Sequence, residues 1–131
     1  MHYITDTHPL VWHIIESPNL SKNSAAIFNN ADRGTDHVVI PCIVLFEILY
    51  LIEKKKIPEF LLDNLIEKVL ESKNYLLEPL CIPIILQCKN ISSKKVSDPG
   101  DRIIAATTLH LNLPLITRDE KLKQIGLTTI C

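Results

Sequence analysis

Glu47 is an acid in apolar company. It sits in the stretch IPCIVLFEILYLIEKKK, among Ile43, Val44, Phe46, Ile48 and Leu51. An ionised carboxylate in such a setting is costly unless a positive charge meets it. Lys54 to Lys56 stand about two turns along any helix that holds Glu47, beyond the i+3 or i+4 reach of helical ion pairs. Three further acids occupy telling positions: Asp6 follows the short run YIT, Asp119 follows LITR, and Asp101 opens DRIIAATTLHLN. If the flanking strands are parallel neighbours, these carboxylates converge beyond one end of a sheet. Such a set of hard oxygen ligands suits Mg²⁺ or Mn²⁺, cations that polarise a bound oxygen and activate water. Zinc fits less well, because no His or Cys falls at ligand spacing and Cys42, Cys81, Cys88 and Cys131 form no CxxC pair.

Electrostatics favours a bound cation. Two carboxylates about 5 Å apart repel by roughly 3 kcal/mol at an effective dielectric near 20. Four of them weigh heavily on a domain whose whole stability is roughly 5–15 kcal/mol. Each acid except Glu47 also has a purely structural account. In SDPGD, Asp98 fits an N-cap, Pro99 the first helical position and Asp101 the third, and for Asp98 the cap is the favoured role. Asp6 and Asp119 precede helical segments and are cap candidates too.

The elements that must position these acids are legible from periodicity and breakers. Tyr3 to Thr5 reads as a strand, and THPLVWHIIES as a helix closed by Ser17 and Pro18. A second helix starts near Ser21 and stops at Gly34, and His37 to Ile40 forms the next strand. Pro41 opens the Glu47 helix, which frays in EKKKIP before Pro58. That helix is apolar all round, so burial on several sides is expected, one side on the sheet and another against a second subunit, another protein segment or, equally, the LLDNLIEKVL helix of the same chain. FLLDNLIEKVLES is amphipathic, with Leu61, Leu62, Leu65, Ile66, Val69 and Leu70 on one face. Leu76 to Glu78 reads as a strand and Ile84 to Asn90 as a helix; SSKKVSDPGD is a polar connection. The helix DRIIAATTLHLN, a strand over Leu115 to Thr117, the short helix EKLKQIG and a strand over Leu127 to Ile130 complete the chain. Alternating strands and helices imply an α/β fold with a parallel sheet covered on both faces, and sites at the carboxyl ends of its strands.

Composition sets bounds on function. The 131 residues suit one domain spanning 1–131. With 47% hydrophobic residues, 22% charged and three glycines, the composition is that of a globular chain and excludes a disordered one. A net charge of −1 supplies no overall field for nucleic acid, so any such binding needs local basic groups or bound metal. The N-terminus MHYITDTH lacks a signal-peptide pattern, and the apolar run from Val38 to Ile52 is too short for a membrane span and carries Pro41 and Glu47. A cytoplasmic protein without membrane contact is expected.

Three pieces, DTHPLVW at Asp6 to Trp12, IPCIVLFEI at Ile40 to Ile48 and DPGDRIIAATTLHLNLPLITRDEKL at Asp98 to Leu122, together resemble the PIN domain family, and within it the VapC-like toxins of bacterial toxin–antitoxin pairs. The resemblance covers nearly the whole chain. It implies a three-layer α/β/α PIN-like fold around a central parallel sheet and a metal-dependent endoribonuclease. It also implies a homodimer and neutralisation by an antitoxin protein. By this likeness Asp6, Glu47, Asp101 and Asp119 bind Mg²⁺ or Mn²⁺ and carry catalysis, Asp98 is an accessory acid, and Thr117 supports the site by hydrogen bonding. Two departures stand out: Cys42 and Ile43 occupy the stretch before Glu47 where relatives often have serine, and Lys55 or Lys56 replaces the glycine common after that helix.

Hydrolysis by metal-activated water implies RNA products with a 5′-phosphate and a 3′-hydroxyl. Arg102, Arg118, Lys94 and Lys95 adjoin the acids in sequence and are candidate phosphate contacts, with an ordinary solvated surface as the competing account for the lysines. His8 and His13 are read as helix residues without catalytic duty. A phosphoacceptor receiver domain would need paired acids after the first strand, and only Asp6 is present there. A catalytically inactive PIN-like RNA- or protein-binding module is the stronger rival, distinguished by a broken acidic set, whereas all four acidic positions are filled here.

Overall fold

The computed structural model describes residues 1–131. Five strands, β1 (His2–Thr5), β2 (His37–Pro41), β3 (Tyr75–Glu78), β4 (Leu115–Ile116) and β5 (Thr129–Ile130), form one sheet in the order β3-β2-β1-β4-β5. All four pairings are parallel. Seven helices connect the strands: α1 (Thr7–Ile14), α2 (Lys22–Asp32), α3 (Cys42–Glu53), α4 (Phe60–Glu71), α5 (Ile82–Cys88), α6 (Pro99–Leu111) and α7 (Glu120–Gln124). The architecture is the expected three-layer α/β/α sandwich. Central strands are apolar without alternation, as they must be when both faces are covered: Ile4, Val38, Val39, Ile40, Leu115 and Ile116 are all buried.

Winding runs outward from β1 in both directions, so β1 and β4 flank the point where strand order reverses. Ligands in open α/β sheets bind at the carboxyl side of that point. The register, with Thr5 opposite Ile116, sets Asp6 and Thr117 side by side just beyond it.

Several elements differ from the sequence expectation. Helix α1 ends at Ile14, three residues before Ser17, because Glu16 turns into the left-handed region at φ 56°. On α4 only Leu61 and Leu65 are fully buried; Ile66 and Leu70 face outward, since α4 packs on α3 and β3 by a narrow stripe. Helix α3 buries Val44 and Ile48 but leaves Phe46 65% and Tyr50 49% exposed, so its opposite face is not covered as an all-apolar helix would suggest. Lys55, at the position of the missing glycine, adopts φ 58°, a left-handed conformation that a non-glycine residue enters at a cost of about 1 kcal/mol. No helix is long and apolar enough to cross a membrane.

Candidate metal centre

Asp6 caps α1, and its two oxygens are both engaged. Oδ1 accepts the Thr7 backbone N–H at 2.8 Å, and Oδ2 accepts the Thr117 hydroxyl at 2.7 Å. The Thr117 oxygen in turn accepts the Asp119 N–H at 3.0 Å. From the other side, the Thr7 hydroxyl donates to Glu47 Oε1 at 2.6 Å. Two threonines therefore tie three acids, Glu47, Asp6 and Asp119, into one hydrogen-bonded row across the ends of β1 and β4 and the second turn of α3.

Asp98 caps α6, accepting the Asp101 N–H at 3.0 Å, and Asp119 caps α7, accepting the Lys121 N–H at 2.8 Å. The cap roles read from the sequence are thus all present. A cap bond occupies one carboxylate oxygen, so it does not prevent the same side chain from facing a ligand. All five acids line one cleft of about 850 Å³, and within it carboxylate oxygens of Glu47, Asp98 and Asp101 lie within 4.8 Å of one another. Asp98, read from its local sequence as a helix cap and from the resemblance as an accessory acid, is a member of this tightest group.

None of the five acids is ion-paired; the salt bridges of the chain are Met1–Asp36, His13–Asp32, Lys68–Asp32 and Lys123–Glu120. The proton affinities reflect this. Burial pushes Asp101 up to about 7, reinforced by the charges of Asp6, Asp98, Asp119 and Glu47. Burial likewise raises Glu47, with Asp6 and Asp98 adding to the effect against the Thr7 hydrogen bond. Asp6, almost fully buried, is raised by desolvation in spite of its bonds from Thr117 and Thr7. Carboxylates that resist ionisation together, with no protein cation paired to them, form a site whose charge a divalent ion would satisfy. The donor set fits a hard cation such as Mg²⁺ or Mn²⁺, being oxygen throughout.

Two residues of this arrangement escaped the sequence reading. Thr7 supplies the hydroxyl support for Glu47 that Cys42 and Ile43 cannot. Gly100 leaves room for the carboxylate: a Cβ there would stand 2.8 Å from Glu47 Oε2. Signals for both were present, a hydroxyl directly after a capping acid and a glycine inside the first turn of a helix, where it lowers helix stability and marks a close approach.

The basic candidates separate. Arg118 lines the cleft, donates to the Asn19 carbonyl at 2.6 Å and lies 5.7 Å over the Trp12 ring. Arg102 turns away, its guanidinium donating to the carbonyl of Cys88 at 2.8 Å, so it fastens α6 to the end of α5 instead of facing the acids. Lys94 and Lys95 are exposed in the loop before α6 and do not line the cleft. His8 lines the cleft, whereas His13 is hydrogen-bonded to Asp32 at 2.8 Å on another side of α1.

The family model described as PIN domain matches residues 3–127. Among solved structures, the chain is similar to one described as VapBC2 from Rickettsia felis bound to a DNA fragment from their promoter, with 19% identity, coverage of 99% of this chain and 98% of the other, and a TM-score of 0.72. FitAcB from Neisseria gonorrhoeae is similar at 17% identity, covering 98% and 96%, with a TM-score of 0.62. FitAB bound to an IR36 DNA fragment is similar at 17% identity, covering 98% and 93%, with a TM-score of 0.64. Comparison with curated protein sequences gives no match.

Proposed function

The chain belongs to the PIN domain family, and from that premise we propose that it is a metal-dependent endoribonuclease acting as the toxin of a toxin–antitoxin pair. PIN domains are generally nucleases that use divalent metals. The observation that carries the reading is the convergence of five carboxylates in one cleft with no Lys or Arg paired to any of them.

Asp6, Glu47, Asp101 and Asp119 would hold Mg²⁺ or Mn²⁺, and Asp98, within the tightest group, joins them. Bound there, the cation supplies Lewis-acid polarisation of a phosphate oxygen and activation of water. The chain's own residues do the positioning. Thr117 and Thr7 fix the rotamers of Asp6 and Glu47, so the carboxylates need little reorganisation when charge arrives. Asp6 is nearly sequestered from solvent, and the low local dielectric strengthens each electrostatic contact made in the cleft. Arg118 stands at the rim as the basic residue placed to meet a phosphate.

The partner reading has a similar basis. The VapBC2, FitAcB and FitAB structures are complexes from toxin–antitoxin systems, which supports an antitoxin protein as the partner of this chain. A homodimer, a single domain over 1–131 and a cytoplasmic location belong to the same reading. The deciding experiment is RNA cleavage with Mn²⁺ or Mg²⁺ by wild type, Asp6→Asn and Asp101→Asn, with product ends mapped. Loss of cleavage in both variants and 5′-phosphate products are expected; equal cleavage by all three proteins refutes the assignment.

A further inference from the structure

The cleft has a second wall that the acids do not explain. The chain contains one Trp, three Tyr and three Phe, and three of these seven rings, Trp12, Phe46 and Tyr50, line the same cleft as the carboxylates. Phe46 and Tyr50 are among only three strongly exposed rings in the molecule, the other being Phe60. The remaining strongly exposed apolar side chains, such as Leu70, Ile82 and Leu86, are aliphatic and lie outside the cleft. Aromatic surface is thus concentrated beside the acids.

Helical spacing gives the wall its form. Phe46 and Tyr50 are four residues apart and bracket Glu47, so they stand on one stripe of α3 about 6 Å apart along the axis. Each end of the wall carries a cation: Arg118 lies 5.7 Å over the Trp12 ring and Lys54 lies 5.3 Å over the Tyr50 ring. Rings interleaved with cations form a surface for single-stranded nucleic acid, whose unpaired bases stack on aromatic faces while phosphates meet the flanking charges. With a chain net charge of −1, Arg118 in the cleft and Lys54 beside it on the Tyr50 ring, electrostatics supplies little of the affinity.

We propose that Trp12, Phe46 and Tyr50 form a stacking wall that holds unpaired nucleobases of the RNA and so positions the adjacent phosphodiester against the acids, with Arg118 and Lys54 meeting the flanking phosphates. This rests on the nuclease reading above and adds to it the residues that position the substrate and the source of its binding energy. The bases provide most of the affinity, and the wall residues act on binding, so their loss falls on KM more than on kcat.

Trp12 is the only tryptophan, so its fluorescence reports this cleft alone. Wild type is titrated with a short single-stranded RNA, with Ca²⁺ replacing Mg²⁺ and strand integrity verified afterwards, and with a strand of equal length whose residues are abasic. Saturable quenching by the RNA is expected, with binding of the abasic strand at least about tenfold weaker. Tyr50→Ala and Phe46→Ala each weaken binding about 5- to 100-fold, and Tyr50→Phe restores it. Two phosphate contacts at about 0.7 each predict a shallow salt slope, near 1.4 on the logarithmic plot. Both substituted side chains are exposed, so unchanged thermal melting verifies the fold. Equal binding of abasic and normal strands, wild-type affinity in the alanine variants, or no quenching of wild type overturns the proposal. Cleavage that ignores Asp6→Asn while the rings still govern binding sinks the nuclease assignment alone. Cleavage that requires the acids while the wall variants bind normally sinks the wall alone.

Discussion

Replacing Asp101 with Asn should stabilise the metal-free protein and remove the response to metal that the proposed function requires. Carboxylate oxygens of Glu47, Asp98 and Asp101 lie within 4.8 Å of one another, a separation at which two charges repel by about 3.5 kcal/mol at an effective dielectric of 20. Raising Asp101 from 3.8 to about 7 corresponds to about 4 kcal/mol, a total in which burial is the largest cause and the neighbouring charges supply the rest. Asp101 is only half-buried and Asp98 is exposed, so solvent and salt reduce this to about 1–2 kcal/mol. An acid in the first turn of α6 also gains about 0.3–1 kcal/mol from the helix dipole, which Asn gives up. Repulsion outweighs that gain, and relief of about 1 kcal/mol corresponds to a Tm increase of roughly 3–5 °C in a domain of this size.

The pH dependence fixes the sign. Because the folded-state value of Asp101 lies above its unfolded one, the native state binds a proton that the unfolded chain does not between about pH 4 and pH 7. Wild-type stability from this group is therefore fully present at acid pH and is lost as pH rises through about 7, whereas Asn does not titrate. In EDTA, Tm of Asp101→Asn minus Tm of wild type should be small near about pH 5 and largest near about pH 8. Adding Mn²⁺ at the higher pH should raise the wild-type Tm and leave the variant nearly unchanged. Differential scanning fluorimetry across this range is sufficient. A variant less stable than wild type in EDTA at the alkaline end, or a gap that does not change with pH, would show that the acids are not held together against their repulsion.

Gly100→Ala should separate metal affinity from stability: its Cβ meets Glu47 Oε2 at 2.8 Å, the movable end of a side chain, so calorimetry should show Mn²⁺ binding weakened about 10-fold or more while Tm changes by only a few degrees. Thr117→Val removes a buried hydroxyl that bonds Asp6 at 2.7 Å and the Asp119 N–H at 3.0 Å, and urea denaturation should register a loss of about 1–3 kcal/mol. Unchanged stability in that variant would mean the threonine does not fasten the row of acids.

Much of the site was legible because its parts announce themselves locally. Asp6, Asp98 and Asp119 stand where helices begin, and Glu47 was conspicuous because an apolar helix gives a carboxylate no local partner. Arg102 shows the limit of proximity in sequence. It follows Asp101 directly, yet successive residues on a helix point about 100° apart, and its guanidinium ends on the Cys88 carbonyl instead of in the cleft. Thr7 and Gly100 were overlooked for the converse reason: their roles are defined by Glu47, forty residues away from the first and fifty-three from the second.

By itself the sequence determined the alternation of strands and helices, the caps and the identity of the acids, since each follows from periodicity, breakers and side-chain chemistry within a few residues. Only the tertiary structure decided that β1 lies between β2 and β4, which sets Asp6 beside Thr117, draws Asp98 into the group with Glu47 and Asp101, and turns three aromatic rings onto the same cleft. Those outcomes depend on contacts between segments far apart in the chain, where register and packing fix the neighbours and no local pattern records them.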